Sequence, residues 1–181
     1  EPSITKWQRL YDQFHSSFEI FVAPGNHDVG IPSRTDVFDI SNFGGSNFKN
    51  ILSFDDNIFI IENSIISNWL ISPSVKSLIQ EYKTSKVFLI RHNIPIKELH
   101  RYANTYAFLS PNLADVEKFS KLKEEGSLII ISGDSGAYER LPRVTCHKFK
   151  NLTFITNGIG NIKGDNILII KDGVINSYRL D

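Results

Sequence analysis

The sequence predicts an α/β domain built on a mixed sheet. Three observations carry that expectation. Stretches with helical apolar spacing alternate with short runs rich in Ile, Val and Phe. Two of the helical stretches open on Ser-Pro, a helix-start signal. The last two apolar runs flank Asp172-Gly173, the dipeptide of a tight hairpin.

Taken in order, residues 3–17 are expected to be helical. Trp7, Leu10, Tyr11 and Phe14 fall at i, i+3, i+4 and i+7, with Ser3 as N-cap. Phe18–Val22 follows as a strand. Residues 30–53 are polar and glycine-bearing and read as a long loop. Asn57–Ile61 is the next strand. Ser72-Pro73 then opens a helix with Val75, Leu78, Ile79 and Tyr82 as its buried stripe, Pro73 sitting where its missing N–H costs nothing. Lys86–Ile90 is a strand. Ser110-Pro111 opens a further helix carrying Leu113, Val116, Phe119 and Leu122, and Gly126 stops it. Leu128–Ile131, Leu152–Ile155, Ile167–Ile170 and Val174–Leu180 complete the strands, the last two as the hairpin.

With 181 residues, 41% hydrophobic and 22% charged, residues 1–181 suit a single domain that needs no metal or disulfide to hold a core. Lys plus Arg and Asp plus Glu are both 20, so no net field favours nucleic acid or an anionic membrane as partner. Cys146 stands alone, which fits a reducing compartment or a secreted fold without bridges; a cytoplasmic location is the expectation. No apolar run reaches the roughly 18 residues of a membrane span.

The chemistry concentrates at strand ends. FEIFVAP ends in Gly25-Asn26-His27-Asp28, KVFLI in Arg91-His92-Asn93-Ile94-Pro95, and SLIIIS in Gly133-Asp134-Ser135-Gly136. In open α/β sheets the carboxyl ends of the strands are where sites are built. If these strands share a sheet and a direction, nitrogen and oxygen ligands converge at one edge, as a metal site or a polar catalytic site requires. Singly, a Gly-Asp strand end reads as a turn, and His92 as a packed or solvent-facing histidine. His15, His100 and His147 lack this context and read as structural or exposed. Arg91 and Arg140, each near a strand-end motif, are candidates to meet a substrate phosphate.

APGNHD, FLIRHNIP, the intervening FDDNIFIIENS and WLISPSVKSLIQE, and LTFITNGIGN before the closing hairpin together resemble the calcineurin-like metallophosphoesterase superfamily. The likeness runs from about Trp7 to Asp181. The family's Asp-x-His and Gly-Asp-x-x-[Asp/Asn] blocks, which precede its GNH[DE] block, do not occur here. The resemblance is therefore to the C-terminal portion of a layered αββα sandwich of mixed sheets lacking its N-terminal strands. At Gly133 the family's Gly-His-x-His is replaced by Gly133-Asp134-Ser135-Gly136.

The resemblance implies a metal-dependent phosphoesterase acting on a phosphate mono- or diester, with a phosphorylated small molecule or phosphoprotein as substrate. It implies two divalent ions in an intact domain, among Mn, Fe, Mg or Zn. Asn26 and His92 would be metal ligands, and Asp134 would stand in for the usual histidine. His27 would be the general acid, and Asp28 would orient it. A carboxylate in place of an imidazole favours Mn²⁺ or Mg²⁺ over Zn²⁺. The competing reading is a non-catalytic binding module that kept the fold after losing ligands, with Gly136 in place of the last histidine and the absent early blocks as its signs.

Overall fold

Apolar runs ending at polar turns pair wherever their backbone groups find a neighbouring strand, and most of the expected runs do so here. The computed structural model describes residues 9, 11–25, 51–65, 67, 70–93, 117, 120–133, 144–158 and 165–180. Within them, β1 (Ile51–Phe54), β2 (Asn57–Glu62), β3 (Lys86–Arg91), β4 (Ser127–Ser132), β5 (Val144–Phe149) and β6 (Leu152–Asn157) form one six-stranded sheet in the order β1-β2-β3-β4-β6-β5. β2, β3, β4 and β6 run parallel, while β1 and β5 close the edges antiparallel. The carboxyl ends of the four parallel strands therefore share one edge. β7 (Asn166–Lys171) and β8 (Val174–Arg179) make the hairpin around Asp172 and Gly173, both at positive φ.

The sheet is covered on both faces. On one, Ile58, Ile60, Val87, Leu89, Leu128, Ile130, Leu152 and Phe154 pack against Ile71 and against Val75 and Ile79 of α1 (Pro73–Glu81). Ser72 caps α1 by accepting from Val75 N, and Pro73 begins the helix. At the other end, Lys123 donates to Tyr82 O at 2.5 Å and Lys83 O at 2.7 Å, satisfying carbonyls the helix leaves over. On the second face, Phe88, Ile129 and Ile155 meet Leu168, Ile170 and Ile175 of the hairpin, and Phe59 stacks on Phe88 at 4.7 Å. The order is helix, six-stranded sheet, hairpin: an α/β fold with a mixed sheet. Among the described residues no helix is long and apolar enough to cross a membrane.

Several expectations need correction. Phe18–Val22 forms no strand among the described residues; the helical residues 11–14 lead into irregular backbone. That run has strand composition, but a strand exists only where a neighbour supplies hydrogen bonds. The expected loop ends earlier, because Ile51–Phe54 is an edge strand turning through Asp55 at φ 51°. Val144–Phe149 is an unanticipated edge strand that contains His147 and turns through Lys150 at φ 52°. Both edge strands are half exposed, so their apolar pattern is diluted. Of the helix expected from Ser110, residues 110–116, 118 and 119 lie outside the described residues; Glu117 and Ser120 are helical, and 121–126 are already turn and irregular backbone. Gly126 does turn the chain, at φ 72°, into β4.

Candidate functional site at the strand tips

The parallel register puts the last rungs of β2, β3, β4 and β6 level with one another. Ile61, Ile90, Ile131 and Ile155 form one row, and the next is Glu62, Arg91, Ser132 and Thr156. All four residues of that second row are buried, at 4%, 1%, 1% and 2% exposure. Buried polar groups need partners, and this row finds several of them locally, although Glu62 Oε2 and Arg91 Nη1 meet only as an ion pair. Arg91 Nη2 donates to Leu70 O at 3.1 Å, and Nη1 pairs with Glu62 Oε2 at 3.5 Å. Glu62 Oε1 accepts from Ser72 N at 2.7 Å. Thr156 and Thr145 share a hydroxyl hydrogen bond of 2.6 Å. The layer ties the sheet edge to the turn that precedes α1.

His92 follows this row. Its carbonyl accepts twice, from Ser132 Oγ at 2.6 Å and from Gly133 N at 3.0 Å, so the tip of β3 is fastened to the tip of β4. Asn93 is held in turn, its Oδ1 accepting from Ser64 Oγ at 3.3 Å. The third tip arrives from elsewhere. Pro24 and Gly25 are buried, and Gly25 lies so close to the imidazole that a Cβ there would sit 2.7 Å from His92 Nδ1. Only glycine permits that approach. Gly25, His92 and Gly133 thus meet, the residues immediately before Asn26 and Asp134 flanking His92.

Asn26, His27, Asp28, Asp134, Arg140 and His100 lie outside the described residues. Arg91 is placed differently from a substrate-facing arginine: its guanidinium is committed to Leu70 and Glu62 inside the protein. The strand parity carries the reason, since Val87, Leu89 and Arg91 share the helix-covered face. His15 is exposed and stacks on Tyr11 at 4.9 Å. Ser132 and Glu62 were not singled out from sequence. The available signal was that each apolar run is followed at once by a polar residue in the same register.

Among the described residues no three His, Cys, Asp or Glu side chains gather as a metal-binding cluster. The described part of the site is an imidazole fastened through its main chain by Ser132 and Gly133, with Gly25 packed against its ring. Comparison with protein-family models, with curated proteins and with solved structures finds no match.

Proposed function

We propose that this protein is a metal-dependent phosphoesterase whose centre lies where Gly25, His92 and Gly133 meet. The observation that carries the reading is that meeting: Gly25 packs on the His92 ring, and Gly133 N binds the His92 carbonyl. Asn26 and Asp134 are each one residue further along. Asn26, His92 and Asp134 would hold a divalent ion through an amide oxygen, an imidazole nitrogen and a carboxylate, with Mn²⁺ or Mg²⁺ favoured by the oxygen ligands. When bound, the ion supplies a nucleophile at neutral pH and offsets charge on the phosphoryl oxygens. His27 would give its proton to the leaving-group oxygen as the ester bond breaks, and Asp28 would keep its ring oriented. The finer αββα layering, and a cytoplasmic setting with a phosphorylated small molecule or phosphoprotein as substrate, belong to the same proposal.

The alternative, a binding module without catalysis, is favoured by one feature, the side-chain-free Gly136 where the family places a second histidine. Hydrolysis of p-nitrophenyl phosphate and of its bis-ester with added Mn²⁺, by the natural polypeptide, separates the two. The proposal expects turnover that His27→Ala lowers at unchanged metal content, and that His92→Ala lowers together with metal content. Equal metal loss in both variants overturns the division of roles. No turnover with any divalent ion favours the module.

A further inference from the structure

β8 is an edge strand without the protection such strands ordinarily carry. All of its residues but Ile175 are exposed, its register with β7 is one-to-one with no bulge, and it holds no proline and a single charge, Arg179 at its end. Edges left in this state pair with another strand. The turn fixes which backbone groups are free. Asp172 and Gly173, at φ 52° and 69°, make Lys171 and Val174 a pair that exchanges both main-chain bonds. Alternate residues repeat that pattern, so Asn176 and Tyr178 also bond to β7, and Leu180 N continues the series on Asp165 O at 2.6 Å. The N–H and C=O groups of Ile175, Ser177 and Arg179 point the other way, and no described strand takes them. Side chains divide by the same alternation. Leu168, Ile170 and Ile175 pack on the six-stranded sheet, leaving Ile167, Ile169, Val174 and Tyr178 exposed on the outer face. Ser177 and Arg179 are exposed as well, so the free edge of β8 has room beside it.

We infer that β8 pairs antiparallel with β8 of a second copy, about a two-fold axis through Asn176. The strand's own residues select that partner and that register. Only an axis that falls on a residue brings the free groups of Ile175, Ser177 and Arg179 against each other. Centred on Asn176, Ile175 of each copy exchanges main-chain bonds with Ser177 of the other. Val174 then lies opposite Tyr178 twice, at the closely spaced positions where a β-branched residue and an aromatic support one another. Asn176 meets its own copy, amide against amide. Neighbouring axes fit less well. Centred on Ser177, Asn176 would face Tyr178 and Ile175 would face Arg179; centred on Ile175, Lys171 would face Arg179, like charge against like. A strand that complements itself in this way makes an isologous interface, which is a property of two identical chains. The product is one four-stranded sheet shared by two copies. The inference is independent of the catalytic reading.

Sedimentation velocity of the natural polypeptide over a concentration series tests it, with two variants. Ser177→Pro removes an outward N–H that β7 does not use, so the hairpin keeps its ladder. Asn176→Lys sets two ammonium groups across the axis from an exposed position, without touching the hairpin's own pairing. The expected result is a dimer whose dissociation constant rises at least about tenfold in each variant, with the wild-type far-UV circular dichroism retained. For Asn176→Lys the rise should be larger at low salt than at high salt. A wild type that stays monomeric at every concentration overturns the inference and leaves the edge to a different chain. A dimer that a folded Ser177→Pro does not weaken overturns pairing through β8. A dimer that Asn176→Lys does not weaken overturns the axis, and that variant decides alone if Ser177→Pro does not fold.

Discussion

Replacing Arg91 by Leu leaves Glu62 buried at 4% exposure without its counter-charge and frees the carbonyl of Leu70. At the observed 3.5 Å separation, the gross attraction at an effective dielectric of about 20 is about 5 kcal/mol. Desolvation offsets much of that, so the intact pair contributes little net stability. Breaking it exposes the full penalty, and Arg91→Leu alone is expected to cost about 3–5 kcal/mol. That is a large share of the 5–15 kcal/mol typical of a domain. The double variant Arg91→Leu/Glu62→Leu is expected to recover at least about half of the loss, because no charge is then stranded. It keeps one deficit, since Ser72 N loses Glu62 Oε1. Urea denaturation followed by tryptophan fluorescence gives both numbers. A single-variant loss below about 1 kcal/mol, or a double variant as unstable as the sum of the two singles, refutes the buried-pair reasoning.

Gly25→Ala drives a methyl against the His92 ring. It should cost about 1–3 kcal/mol and shift the His92 imidazole resonances in NMR spectra; unchanged spectra would mean the approach is not as close as the 2.7 Å contact implies. Gly126→Ala meets rigid backbone at Ser85 O and Thr84 O from a positive φ and should lower the urea midpoint, whereas an equal or raised midpoint contradicts the strained geometry. Lys123 titrates below an ordinary lysine because burial penalises its ammonium, with Glu125 partly offsetting this. Its folded-state value is lowered, so the unfolded chain binds more protons between that value and the ordinary 10.5, and stability from this group rises with pH through that window. Wild-type stability minus that of Lys123→Met should therefore increase from pH 7 toward 10.5, and a decrease reverses the sign.

The parallel strands were legible because they are covered on both faces and so read as unbroken apolar runs. Their final rungs were not, since the backbone ladder continues past Ile61, Ile90, Ile131 and Ile155 into residues whose polarity suggests a turn. For Arg91, proximity to a motif suggested a substrate contact, while the parity it shares with Val87 and Leu89 directs it into the protein. The edge strands Ile51–Phe54 and Val144–Phe149 escaped because half of each pattern faces water. Phe18–Val22 was read from composition, which reports a capacity to pair and says nothing about whether a neighbour is present. Of the site, the strand-tip motifs were visible in the chain. The fastening of His92 by Ser132 was not, because 40 residues separate that donor from its acceptor.

Titration of the ¹⁵N-labelled natural polypeptide with Mn²⁺ tests most directly whether the three tips surround a cation. Paramagnetic broadening falls steeply with distance, so amides of Gly25, His92 and Gly133 should vanish together at substoichiometric metal, before those of Lys86, Ser127 and Leu152 at the far ends of the strands. Broadening that starts elsewhere, or that touches one tip without the other two, contradicts a shared metal centre.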